Sequence, residues 1–227
     1  MLKPRTSFVF GVLVLGLAPG LPTMLFGAWP EEQIADALRA APPNVTSDAR
    51  IYAFKANGER ALVRNGTGPY TCVASGSNSL RVGKPPFPYP DPLCADTNAW
   101  AFFEAVWNES DPLRPSKALP SAPGMVWMLA GMNIDRGGIA YADKSRGTVM
   151  ITEAGAGDDA ARHIQMTPHL MILPLPVDAS QADLPTTYDP SNPLLTWVMA
   201  AGTPLAHIHI HFSEDERAAL SAIRPNR

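Results

Sequence analysis

Ala206-His207-Ile208-His209-Ile210-His211-Phe212 alternates imidazole with apolar side chains. Successive residues of a β-strand point to opposite faces. The alternation therefore predicts a strand with His207, His209 and His211 on one face and Ala206, Ile208, Ile210 and Phe212 turned into the core. Imidazoles at i and i+2 sit roughly 7 Å apart at the backbone, close enough to converge on one ion. A half-buried strand whose solvent face happens to carry histidine is the competing explanation. All five histidines of the chain fall between positions 163 and 211. A second strand is predicted over 169–173, on which His169 and Met171 share a face. That pair would complete a metal site begun by His207 and His209, with His211 as a further candidate ligand. Imidazole suits zinc, copper, iron and nickel, and an added thioether tilts the choice toward copper. Plain core packing is the alternative for Met171, and a core histidine with a satisfied ring nitrogen for His169. Asp178, Asp183 and Asp189 on the adjoining loop are not obviously placed to finish a site for a harder metal.

Outward from these strands, the other short apolar runs give the fold class. Runs at 51–54, 61–64 and 70–73, divided by Asn57-Gly58 and Asn65-Gly66, predict a three-stranded meander. Further strands are expected at 125–129, 139–142, 148–152 and 196–199. Three helices flank them. Pro30, with Glu31 and Glu32 in the first turn, opens one along Ile34, Ala37, Leu38 and Ala41. Asp96 caps a second, reaching Trp107, whose Trp100, Phe103 and Trp107 form an aromatic core face, with Glu104 solvated at its edge. Ser213 precedes a third over 214–223, with Leu220 and Ile223 as its contacts. The expected fold is a single α+β domain of about nine strands, mostly antiparallel or mixed.

The chain has 227 residues and 24 prolines, about twice the usual share. Its hydrophobic content of 46% excludes wholesale disorder, and a net charge of −3 gives nucleic acid no cationic face. Lys3 and Arg5 precede an apolar run over 8–17, too short to span a bilayer as a helix, and Pro19 and Pro22 follow. Residues 1–28 therefore read as an export signal, and 29–227 as the exported domain, periplasmic or secreted. An uncleaved N-terminal anchor is the alternative; the mature domain itself needs no membrane. The two cysteines, Cys72 and Cys94, suit a disulfide in an oxidising compartment, worth about 3 kcal/mol in the chain-entropy model. Between them runs Lys84-Pro85-Pro86-Phe87-Pro88-Tyr89-Pro90-Asp91-Pro92, which cannot enter a sheet interior. No Gly-x-Ser-x-Gly elbow is present, and the glycine clusters lack the context of a phosphate-binding or dinucleotide fingerprint.

Pro168-His169-Leu170-Met171-Ile172, Leu184-Pro185-Thr186 and Gly202-Thr203-Pro204-Leu205-Ala206-His207-Ile208 resemble signature runs of an uncharacterised family of exported bacterial proteins. The stretch 65–72, with Cys94 and the tryptophan-bearing helix after it, is similar to that family's first half. The resemblance implies export and one domain, and no activity. The family pattern matches at His169 and His207, has His-x-Met where His207 and His209 stand, and lacks a histidine at 211. The leading expectation is an exported protein binding copper, or next zinc, through His169, His207 and His209. A metal-free ligand-binding or envelope-associated module is the second reading, and a metal-dependent hydrolase or oxidase the third. The sequence does not name a small-molecule or protein partner.

Overall fold

Eight strands form one mixed sheet in the computed structural model, in the order Trp197–Met199, His207–His211, His169–Leu173, Gly124–Met128, Leu93–Ala95, Thr71–Val73, Arg50–Phe54 and Arg60–Arg64. The structure describes residues 30–55, 59–75, 91–106, 114–135, 141–143, 148–149, 163–175, 181–189 and 191–224. The expected export signal, the Asn57-Gly58 turn, Trp107, Asp178 and most of the proline-rich segment lie outside these residues. The strands are β1 (Arg50–Phe54), β2 (Arg60–Arg64), β3 (Thr71–Val73), β4 (Leu93–Ala95), β5 (Gly124–Met128), β10 (His169–Leu173), β11 (Trp197–Met199) and β12 (His207–His211). Two further pairs, β6 (Met132–Asp135) with β9 (His163–Met166) and β7 (Tyr141–Asp143) with β8 (Thr148–Val149), stand apart from that sheet. The helices are α1 (Pro30–Leu38), α2 (Pro43–Thr46), α3 (Thr97–Val106) and α4 (Glu214–Ser221). This is an α+β fold.

The first three strands do not form a meander. β1 lies between β2, which it pairs antiparallel, and β3, which it pairs parallel. The chain after β2 doubles back beneath the start of β1 instead of turning tightly at Asn65-Gly66. Gly66 makes this possible, because a Cβ there would overlap the Asp48 carbonyl and the Ala49 backbone. Arg64 fastens the crossing, its guanidinium donating to the carbonyls of Thr46 and Ala49.

The two faces of the sheet carry different helices. On one, Ala37, Ala40 and Ala41 cover Ile51, Cys72 and Cys94. On the other, Ala99, Phe102 and Val106 of α3 cover Val126, Met128 and Met171. Burying Phe102 and Val106 is worth about 1.5–3 kcal/mol each. The buried stripe of α3 thus runs through Phe102, while Trp100 and Phe103 sit partly buried at its margin. Trp100 stacks on Tyr52 at 5.4 Å, and Arg60 lies over both rings. Glu104 is not merely solvated, since it pairs with Arg60 at 2.5 Å. Asp96 caps α3 through the Ala99 amide and accepts a second bond from the Met125 amide, tying the helix to β5. The Ser213–Glu216 capping box starts α4, which buries no residue and leaves Ile223 exposed, contrary to the expected contact.

Cys72 and Cys94 face each other across β3 and β4 and form a disulfide. The bond closes a loop of sequence separation 22. Replacing both cysteines with alanine is expected to cost about 3 kcal/mol, read as a lower denaturation midpoint with a steeper slope, because the released unfolded chain exposes more surface. A loss below about 1 kcal/mol would mean that the unfolded chain is already restrained there.

Candidate functional site

The histidines converge at the β11–β12–β10–β5 end of the sheet. In the antiparallel β10–β12 pair, His169 stands opposite His211 and Met171 opposite His209. Directly opposed residues share a face. Since Met171 and Met128 pack under α3, the imidazoles occupy that inward face as well. The polarity of β12 is therefore the reverse of the sequence expectation. His209 and His211 are buried, whereas Ile208 and Ile210 are only half-covered. Val198, Ile208 and Ile172 line up on the opposite face.

The ring of His209 is the centre of the cluster. Its centroid lies 4.8 Å from His169, 4.9 Å from His207, 4.9 Å from Trp197 and 5.8 Å from His211. Trp197 is its cross-strand neighbour on β11, as Met199 is for His207. Met166, Met199 and Met132 pack with Trp197. The pattern of methionines around an imidazole row is absent from the sequence reading, which weighed only Met171. Met132 and Met166 come from β6 and β9, two short strands that the sequence did not reveal.

Hydrogen bonds sort the four histidines into different roles. Trp197 donates its indole N–H to His211 Nε2 at 3.0 Å. The proton of the neutral His211 ring then belongs on Nδ1, which donates to Thr167 Oγ1 at 2.7 Å. Thr167 in turn donates to the Pro193 carbonyl at 3.0 Å. Both nitrogens of His211 are thereby committed, and its ring is a brace between β12, β11 and the loop before β11.

His169 Nδ1 donates to the Thr167 carbonyl at 2.8 Å, and His207 Nδ1 to the Leu205 carbonyl at 2.6 Å. This is the arrangement by which a backbone carbonyl fixes the tautomer of a metal-ligating imidazole and turns Nε2 outward as a lone pair. Nε2 of His169 is buried and has no partner, and neither nitrogen of His209 has one. A buried polar atom left unpaired costs about 1–3 kcal/mol.

Burial holds all four rings neutral. Loss of solvent depresses His169 to about 3, with its Thr167 hydrogen bond opposing and the neighbouring imidazoles adding to the effect. The same loss of solvent takes His207 and His211 to about 4 and His209 well below its ordinary value. Neutral imidazole is the form that binds a metal. The described carboxylates of the adjoining loop do not reach the cluster: Asp189 accepts from Ser191, and Asp183 is exposed. Asp91, the buried acid among the described residues, lies near α1 instead, its backbone amide donating to Ser75 Oγ.

The structure brings His169, Met171 and His209 together and leaves His207 at the far side of His209. His207 lies four residues along β12 from His211, the partner of His169. At about 3.4 Å per residue that is about 14 Å along the backbone, and the rings of His169 and His207 lie on either side of His209, 4.8 and 4.9 Å from it. Among the described residues, no group of three His, Cys, Asp or Glu side chains is arranged to hold a metal. Among the described residues a site here therefore draws on two imidazoles before thioethers are counted. Among the same residues no helix is long and apolar enough to cross a membrane. Comparison with family models, curated proteins and solved structures found no match.

Proposed function

We propose that this chain is an exported protein, periplasmic or secreted, that binds a transition-metal ion through His169 and His209, copper in preference to zinc. The observation that carries the reading is the set of three buried ring nitrogens without partners, one on His169 and two on His209. An arriving ion would take two of these three nitrogens, one from each ring, and the Nδ1 bond of His169 already fixes the tautomer it needs. The Cys72–Cys94 disulfide supports an oxidising compartment. Binding or handling of metal fits better than catalysis, because no buried carboxylate stands beside the imidazoles among the described residues to serve as a base. His207 then acts as a relay position on the exposed side of His209, and His211 as the brace.

The test is the metal content of the full chain, purified without a histidine tag, against a His169→Ala/His209→Ala variant. The expected result is near one equivalent in the parent and none in the variant. No metal in either protein after loading with copper or zinc would retire the proposal. The cluster would then read as the lining of a metal-free ligand site.

A further inference from the structure

Resting on the metal reading above, we infer that the ion is monovalent, copper(I), and that Met171 is its third ligand. Three arguments from the fold converge on this. The register places Met171 directly opposite His209 and two residues from His169 on the same face of β10. Opposed residues have Cβ atoms about 4.5–5.5 Å apart, and the rings of His169 and His209 approach to 4.8 Å. These three side chains are thus mutual neighbours on one face.

The donors are also all neutral. Two imidazoles and a thioether bring no negative charge, and the buried acid among the described residues lies elsewhere, at Ser75. The cost of placing an ion in an apolar interior grows with the square of its charge. A divalent ion would therefore pay four times what a monovalent one does, with no carboxylate or thiolate to compensate. Met171 and Val126 beneath the cluster make that interior apolar. Finally, a borderline ion such as zinc(II) wants four nitrogen, thiolate or carboxylate donors, and even three of these are not grouped among the described residues. A soft ion accepts thioether sulfur and few ligands. Met128, opposite His169 across β10 and β5, puts a second sulfur within the same neighbourhood.

The experiment is anaerobic titration of the full chain with copper(I) against a chromogenic copper(I) chelator. Silver(I) serves as the non-redox probe and zinc(II) as the divalent control. Met171→Leu tests the sulfur at nearly constant volume. The expected result is one copper(I) or silver(I) bound in preference to zinc(II), with at least a tenfold loss of copper(I) affinity in Met171→Leu. X-ray absorption of the copper(I)-loaded parent is expected to show sulfur beside nitrogen, a readout independent of whether the variant folds. Equal or tighter zinc(II) binding, an unchanged copper(I) affinity in a folded Met171→Leu, or a shell without sulfur would overturn the inference and leave the histidine site standing. Failure to bind any of the three ions would end both.

Discussion

The metal-free protein is expected to lose most of its stability between pH 6.5 and about 4.5. An unfolded histidine takes up its proton near pH 6.5. In the folded chain, burial holds His169 at about 3 and His209 well below the ordinary value. Below pH 6.5 the unfolded state therefore binds more protons than the folded one, and stability falls as the pH falls. Each such histidine shifts the folding equilibrium about tenfold per pH unit until its folded value is reached. Two units below pH 6.5, His169 alone costs about 3 kcal/mol, a large share of a whole domain's stability of about 5–15 kcal/mol, and His209 adds in the same direction. His207 and His211, held at about 4, cease to add to the slope near that pH. Thermal melts of chelator-treated protein at half-unit steps would measure the slope directly. A melting temperature flat from pH 7 to 4.5 would mean that the imidazoles are solvated and the inward face is misassigned. Affinity for a metal should also persist below pH 6, where solvated histidines would already have released it.

Gly124→Ala is expected to be strongly destabilising. A Cβ at this position would overlap the backbone of Ala99, where α3 sits on β5, and would crowd the Asp96 carboxylate that caps the helix. Neither element can yield cheaply, because Asp96 also holds the Met125 amide. Overpacking of this kind, combined with a damaged cap, should cost about 3 kcal/mol or more. Gly202→Ala is the contrasting case. Nothing lies within 4 Å of its would-be Cβ, yet its φ of +77° still disfavours alanine, by about 1 kcal/mol. Chemical denaturation of the two variants separates contact from conformation, and equal losses would show that α3 can lift off β5 without penalty.

The strands and helices with strong local patterning were readable in the sequence, and the way they meet was not. His169–Leu173 is found over the residues its apolar run predicts, and Asp96 and Ser213 cap helices where their side chains suggested. β4, β6 and β9 escaped notice because runs of three or four residues carry too little periodicity to stand out. The inverted face of β12 has a deeper cause. Histidine and isoleucine alternate with equal clarity whichever side is buried, and the cover over the imidazoles comes from Trp197, Met166 and α3. Likewise, nothing local distinguishes His211 from His209. Only the arrival of Trp197 and Thr167 commits one ring and leaves the other unpartnered. The parallel pairing of β1 with β3 was hidden for a similar reason, since Asn65-Gly66 is a turn signal that here serves a close crossing.

The strand order also gives the protein a history. Its half with the disulfide, β1 to β4, is complete by Ala95, whereas the imidazole strands begin at His169. Any vectorial process, whether synthesis or threading through a translocation channel, delivers the cysteines first. Cys72 and Cys94 sit face to face on neighbouring strands and leave no free thiol. Once they have joined, the strongest competitor for a thiophilic ion has been withdrawn before the nitrogen donors emerge. On the proposed metal reading, an ion arriving after that point would meet the imidazoles with no thiol competing for it.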